Sequence, residues 1–383
     1  MELYIHIPFC LQKCRYCDFA SYAGRASLMQ PYVDAVLTEA RIEAEHLGHP
    51  TIETIFLGGG TPSLLPPEEL VRLMDGIHYC FPIAQDAEIT SEANPGTLTE
   101  DWLRSAVDAG INRLSLGMQA AQPRLLRLLG RIHTLPEVVQ SADMARQAGI
   151  RNLNLDLMFG LPTQNVEDWQ ETLHAAFAME PEHLSCYGLI PEDGTPLKRD
   201  LDAGRLSLPE EDAERTMYDL TLNLLAAQGY EQYEISNFAK AGFACKHNLG
   251  YWRQVPYLGL GASAASMIPD ADASNAYLRR SNPASLEQYL SMIKERDFSV
   301  REETPISKKE AQFETLMLGL RTTKGVSESA YTAMHGVSMD QRYGATLARL
   351  EKQGLLLHQA GYWRLSRRGM DVQNAVLVEL MDD

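Results

Sequence analysis

The chain has 383 residues, 45% of them hydrophobic and 22% charged, which excludes intrinsic disorder and predicts two to three domains at roughly 150 residues each. A net charge of −17 excludes nucleic acid as a general partner, because phosphate contacts need Lys and Arg. No apolar run approaches the ~18 residues that span a bilayer, and Met1–Cys10 lacks the basic-then-apolar layout of a signal peptide, so a cytoplasmic protein with no transmembrane segment is expected.

Residues 1–235 alternate strand-like and helical patterns. Leu3–Ile7, Ile52–Leu57, Ala87–Ser91, Ile111–Leu116, Leu153–Met158 and Leu184–Ile190 are short apolar runs bounded by Gly or Pro, as buried parallel strands are. Tyr32–His46, Glu68–His78, Glu100–Ala109, Pro136–Ala148 and Val166–Met179 read as helices between them. Six βα units predict an α/β fold with a parallel sheet and right-handed crossovers, a partial TIM-like (β/α)6 barrel two units short of closure. Residues 236–303, rich in Gly, Ser, Asn and Tyr, read as an irregular extension folded onto the barrel, because Tyr251, Trp252 and Tyr257 need burial. Residues 304–383 read as a winged-helix-like module of helices and one hairpin, opened by a helix with Ser307 as N-cap. Residues 301–383 hold eleven basic and eleven acidic side chains, so this module is neutral and reads as protein-facing rather than DNA-reading.

Unusual residues gather at the strand ends, which in βα barrels converge on one face. Cys10, Cys14 and Cys17 form CxxxCxxC after the first strand, whereas Cys80, Cys186 and Cys245 are isolated and read as small buried hydrophobes. Three thiolates this close need a cation or cluster between them. A three-cysteine iron–sulfur cluster leaves one iron open to a small ligand; a zinc site completed by His6 is the alternative. Gly58-Gly59-Gly60-Thr61-Pro62 lets backbone approach a ligand closely, or is a plain strand-to-helix turn. Asp156 places a charge inside an apolar strand, and Arg131 can meet a carboxylate bidentately.

CxxxCxxC in this position resembles the radical S-adenosylmethionine (SAM) superfamily, and with Gly58–Thr61 the resemblance is specific. It implies a 4Fe-4S cluster on Cys10, Cys14 and Cys17 whose open iron chelates SAM, with reduction of that complex yielding a 5′-deoxyadenosyl radical. It also implies SAM contacts at Tyr4, Tyr16, Gly59, Gly60, Thr61, Glu92, Gln119, Arg131, Asp156 and Gly188.

Tyr4-Ile-His-Ile-Pro-Phe-Cys10, Ser115-Leu-Gly-Met-Gln119 and Asp156-Leu-Met-Phe-Gly-Leu-Pro162 are similar, over nearly the whole chain, to the oxygen-independent coproporphyrinogen III oxidase-like family. Two departures separate this chain from the oxidase itself. Asp18-Phe19 follows Cys17 where the oxidase pattern carries a fourth cysteine, and only nine residues precede the cluster. Both are typical of the family's heme chaperones, as is His247-Asn248-Leu249-Gly250-Tyr251-Trp252. The resemblance therefore implies heme as a further ligand, with His247 a candidate axial ligand and Cys245 a weaker competitor, and a heme-acceptor protein as partner. A radical SAM enzyme acting on a tetrapyrrole is the second reading, and a zinc-stabilised DNA-binding protein the third. Whether SAM is cleaved stays open at this point.

Overall fold

The computed structural model describes residues 1–270 and 274–381. Twelve strands form one sheet. Six come from the predicted βα units: β1 (Glu2–Ile7), β2 (Ile52–Gly59), β3 (Ile83–Ala93), β4 (Arg113–Gln119), β5 (Asn152–Phe159) and β6 (His183–Gly188). They are followed by β7 (Glu231–Gln232), β8 (Asn237–Ala239), β9 (Tyr257–Leu260), β10 (Ala265–Pro269), β11 (Tyr277–Ser281) and β12 (Glu302–Ile306). The spatial order is β12-β11-β10-β9-β1-β2-β3-β4-β5-β6-β8-β7, with β9 and β1 to β6 parallel and both flanks antiparallel. The two ends do not pair, so the barrel is open.

Alternation along β1 builds the two sides of its wall. Leu3, Ile5 and Ile7 join Tyr32, Val33 and Val36 of α1 (Met29–Leu47) in one buried cluster, while Tyr4 stacks on Phe56 of β2 at 6.3 Å. The crossovers are α2 (Pro67–Cys80), α3 (Glu100–Asp108), α4 (Pro123–Leu129), α5 (Leu135–Ala148) and α6 (Val166–Phe177); α7 (Pro196–Asp202) and α8 (Glu211–Ala227) follow β6.

Residues 236–303 are not irregular. They contribute β8 to β11, α9 (Lys246–Trp252) and α10 (Leu286–Glu295), and β9 adds a seventh parallel strand against β1. A buried ionic cluster pins them to α1. Glu39 accepts hydrogen bonds from Gly261 N, Asn282 Nδ2, Tyr289 Oη and Arg301 Nη2, and Glu43 pairs with Arg280 and Arg301.

Beyond β12 lies a separate apolar core built from α11 (Lys308–Gly319), α12 (Glu328–His335), α13 (Met339–Lys352), α14 (Arg367–Asp371) and α15 (Gln373–Met381). A three-stranded antiparallel sheet completes it: β13 (Val326–Ser327), β14 (Leu356–Gln359) and β15 (Tyr362–Leu365). Ser307 caps α11 as expected, accepting from Glu310 N. The module docks on the barrel through Arg215–Asp371, Arg367–Asp219 and Arg279–Glu314.

Candidate functional site

A cavity of about 370 Å³ opens at the carboxyl ends of the parallel strands. Cys10, Cys14 and Cys17 line one side, and Tyr16, Gly59, Gly60, Glu92, Gln119, Arg131 and Asp156 line the rest. Ten of the fourteen residues singled out in the sequence therefore meet in one place. The convergence follows from the fold, because most of them lie near the carboxyl ends of parallel strands or in the loops that follow, while Arg131 is brought in just beyond helix α4.

The glycines permit the close approach. Gly59 has φ +102°, and a Cβ there would sit 2.2 Å from His6 Cε1; at Gly60 it would meet the Ile7 carbonyl at 2.6 Å. Gly60 N donates to that carbonyl at 2.9 Å, so strand β2 turns sharply against β1 and its backbone faces the cavity. Gln119 reaches the cavity for a different reason. The β4–β5 register shifts between Leu116 and Gln119, and Gln119 adopts φ +65°, a conformation rare outside glycine and typical of sites where a bulge re-aims a side chain.

Charged and polar groups share the cavity with the thiols. Glu92 Oε2 accepts from Gly59 N at 3.0 Å, and burial, reinforced by nearby Asp156, pushes its carboxyl up to about 7. Ser115 Oγ and Asn154 Nδ2 donate to the two oxygens of Asp156 at 2.8 and 2.9 Å. Arg131 donates to Asn94 Oδ1 at 2.5 Å and to Tyr16 Oη at 2.9 Å, and its Nε is buried without a partner. Burial pushes the Tyr16 phenol up to about 12, keeping it a neutral donor or acceptor. Asn94, just past the end of β3, and Ser115, within β4, join the site through their bonds to Arg131 and Asp156.

Four expected contacts lie outside this cavity. Thr61 acts through a cysteine: its Oγ1 donates to Cys10 Sγ at 3.6 Å and accepts from Asn94 Nδ2 at 2.8 Å. Tyr4 sits deeper in the barrel with its Oη 2.9 Å from His6 Nδ1. Gly188 packs against Phe159 and Glu214, and its neighbour Tyr187 lines the cavity instead. His247 is at the other end of the barrel, near the start of β2. It is 1% exposed, its Nδ1 lies 2.7 Å from Thr54 Oγ1 and its Nε2 3.0 Å from Tyr251 Oη. Burial, then Arg113, pushes this imidazole down to about 3. A neutral ring with both nitrogens engaged has no lone pair free for iron. Cys245 is likewise buried and donates to Glu88 Oε1 at 3.3 Å.

The donor set fits an iron–sulfur cluster better than zinc. His6, the candidate fourth zinc ligand, is committed to Tyr4 Oη and the Ala20 carbonyl. Among the described residues no three His, Cys, Asp or Glu side chains converge on a point that would hold a single ion. Three separated thiols around one cavity suit a group that offers each thiolate its own iron. The rest of the cavity fits a small zwitterion. Arg131 Nε is unsatisfied, and a Cβ on Gly117 would come within 3.0–3.2 Å of Gln119 Nε2, Arg131 Nη2 and Asn94 Oδ1, so this glycine keeps the polar wall open.

Comparison with known proteins matches residues 4–176 to the Radical SAM superfamily and residues 306–372 to the HemN C-terminal domain. The heme chaperone HemW of Bacillus subtilis is 37% identical over 97% of each chain. That of Escherichia coli is 36% identical over 98% of this chain and 97% of its own. This chain belongs to the HemW family of radical SAM proteins. The solved coproporphyrinogen III oxidase (HemN) of Escherichia coli shares the fold, with a TM-score of 0.83 at 23% identity over 99% of this chain and 89% of that one. Both the barrel and the C-terminal module thus have counterparts in one architecture. Among the described residues no helix is long and apolar enough to cross a membrane.

Proposed function

We propose that the protein is a cytoplasmic heme chaperone on a radical SAM scaffold, binding heme and passing it to an acceptor protein. The observation that carries this reading is the full-length similarity to HemW proteins, joined to a cluster loop in which Phe19, 61% exposed at the cavity wall, holds the position of the oxidase's fourth cysteine.

On this reading Cys10, Cys14 and Cys17 hold a 4Fe-4S cluster. When bound, such a cluster supplies an open iron and a single electron. Arg131 would take the SAM carboxylate, for which its guanidinium fork can supply paired donors. The cavity-lining backbone at Gly59 and Gly60 would hold the methionyl moiety, and Glu92 and Asp156 would accept from its ammonium and ribose hydroxyls. Gln119 and Tyr16 complete the polar lining. Tyr4 supports the site through His6, Thr61 through Cys10, and Gly188 by seating Tyr187. We assign residues 1–235 to this chemistry, 236–303 to closing the barrel floor, and 304–383 to a docking module.

The second reading, a radical SAM oxidase of coproporphyrinogen III, is favoured by the shared fold alone. Anaerobic reconstitution with iron and sulfide, followed by SAM, dithionite and either heme or coproporphyrinogen III, separates the two. Stoichiometric heme uptake, read from the Soret band, without porphyrinogen decarboxylation is expected. Decarboxylation at about 1 s⁻¹ or faster, a rate typical of enzymes, would overturn the chaperone reading.

A further inference from the structure

A second cavity, about 420 Å³, opens where α9 meets the C-terminal module. Its walls include Tyr233, Trp252, Tyr331 and Tyr362, and the charged residues among its described lining are Arg253 and Lys324. Among the described residues no Asp or Glu lines it, in a chain with net charge −17. The local charge is thus the reverse of the molecule's, a pattern that attracts anions to one place on an otherwise repelling surface. The cations are not consumed in ion pairs with the wall. Lys324 Nζ lies 5.0 Å from the centre of the Tyr362 ring, and both residues reach solvent. Trp252 Nε1 is buried without a hydrogen-bond partner, an unmet donor beside the cavity its own ring lines. Size, aromatic walls and a few convergent polar groups are the marks of a small-molecule site.

The backbone is shaped to keep this space. Gly319 and Gly325 both line it; a Cβ on the first would meet Val326 Cγ2 at 2.5 Å, and on the second, at φ +78°, the Trp363 carbonyl at 2.1 Å. Side chains at these positions would force apart the packing that forms the cavity.

We propose that this cavity binds a planar, apolar ligand bearing carboxylates, with the ring system against Trp252 and the tyrosines and the carboxylates on Arg253 and Lys324. The two cations of the lining, with Arg321 5.7 Å from the centre of the Trp252 ring beside them, suit the carboxylates of a planar ligand. The inference rests on the proposed function, under which the ligand is a metalloporphyrin held through its propionates. It places that ligand against the outer face of α9 and the C-terminal module, away from His247.

Fluorescence titration of the reconstituted full-length protein with zinc protoporphyrin IX tests it. Arg253→Glu/Lys324→Glu should weaken binding about tenfold or more, the scale of losing charge-assisted contacts. The parent should discriminate against the porphyrin's dimethyl ester, and the double variant should not. Ala330→Trp, which fills the mouth, should abolish binding, with melting temperature and cluster iron unchanged in all variants. Binding by the parent with equal affinity in every variant would overturn the cavity assignment alone. Absence of porphyrin binding by the parent would overturn the chaperone reading, and this inference with it.

Discussion

His247 Nδ1 and Thr54 Oγ1 lie 2.7 Å apart although 193 residues separate them in the chain, and this contact ties α9 to the floor of the barrel. The imidazole also stacks on Phe56 at 5.2 Å and meets Tyr251, whose ring stands edge-on to Tyr257. The HNxxYW segment is therefore divided: His247 and Tyr251 anchor the helix inward, while Trp252 faces the second cavity.

His247→Ala should consequently cost about 2–4 kcal/mol of stability, through a lost ring and stranded hydrogen-bond partners. Urea unfolding measures it. Cluster iron and the heme Soret maximum should stay as in the parent at temperatures where the variant is folded. A shifted Soret maximum without loss of stability would instead mark His247 as an iron ligand.

Glu92 sets a pH dependence for SAM. Its carboxyl, raised to about 7 by burial and by Asp156, is largely protonated at pH 6 and largely ionised at pH 8. An ionised carboxylate attracts the cationic groups of SAM, so affinity should rise as pH rises through about 7. Calorimetry across pH 6–8 reads this slope. Glu92→Gln should bind SAM more weakly at pH 8 and lose most of the pH dependence.

Much of this site was legible because each strand end carries its own signal. Cys10, Gly59, Glu92, Gln119 and Asp156 are chemically conspicuous beside apolar runs, and the barrel topology brings such ends together without further information. The extension was harder to read. Strand β9 is four residues long and contains Gly259, which resembles a turn residue; the structure needs it there because a Cβ would meet the Ala265 carbonyl at 2.1 Å. Helix α8 buries only Met217, Thr221 and Leu225 fully along its 17 residues, too sparse a stripe to stand out among acidic neighbours. The inward orientation of His247 depends on Thr54 and Tyr251 at once, and no local pattern encodes that.

Arg301 holds two buried carboxylates, Glu39 through Nη2 and Glu43 through Nη1, each at 2.7 Å. Its side chain is 5% exposed and theirs are 0% and 3%. Removing one partner from such a cluster leaves charge buried without compensation, which costs about 3–5 kcal/mol. Arg301→Met should show that loss in urea unfolding. Arg301→Met/Glu39→Gln should recover part of it, since the stranded Glu39 charge is gone while Glu43 keeps its pairing with Arg280.

Each of Cys10→Ser, Cys14→Ser and Cys17→Ser should lose most cluster iron on reconstitution, because three thiols leave no spare ligand. Cys80→Ser and Cys186→Ser should retain it, as both thiols are buried away from the cavity. Iron and sulfide analysis with the visible absorbance near the cluster band decides the matter, and undiminished iron in any of the first three would remove the cluster assignment.

Gly59 and Gly117 both border the cavity, yet alanine at each should fail differently. At Gly59 the new Cβ falls 2.2–2.3 Å from His6 Cε1 and Nδ1, at a φ of +102° that alanine rarely adopts. His6 cannot yield easily, because its Nε2 is bonded to the Ala20 carbonyl at 2.8 Å and its Nδ1 to Tyr4. Displacing it moves the far end of the cysteine loop, so Gly59→Ala should lower both cluster iron and melting temperature. At Gly117 the Cβ meets only the tips of Gln119, Arg131 and Asn94, at 3.0–3.2 Å. Those side chains can give way, but they are the ones proposed to hold SAM. Gly117→Ala should therefore keep the fold and cluster iron while weakening SAM binding about tenfold, on the scale of one misplaced charge-assisted contact. Equal cluster loss in both variants would show that the polar wall and the cysteine loop move as one unit.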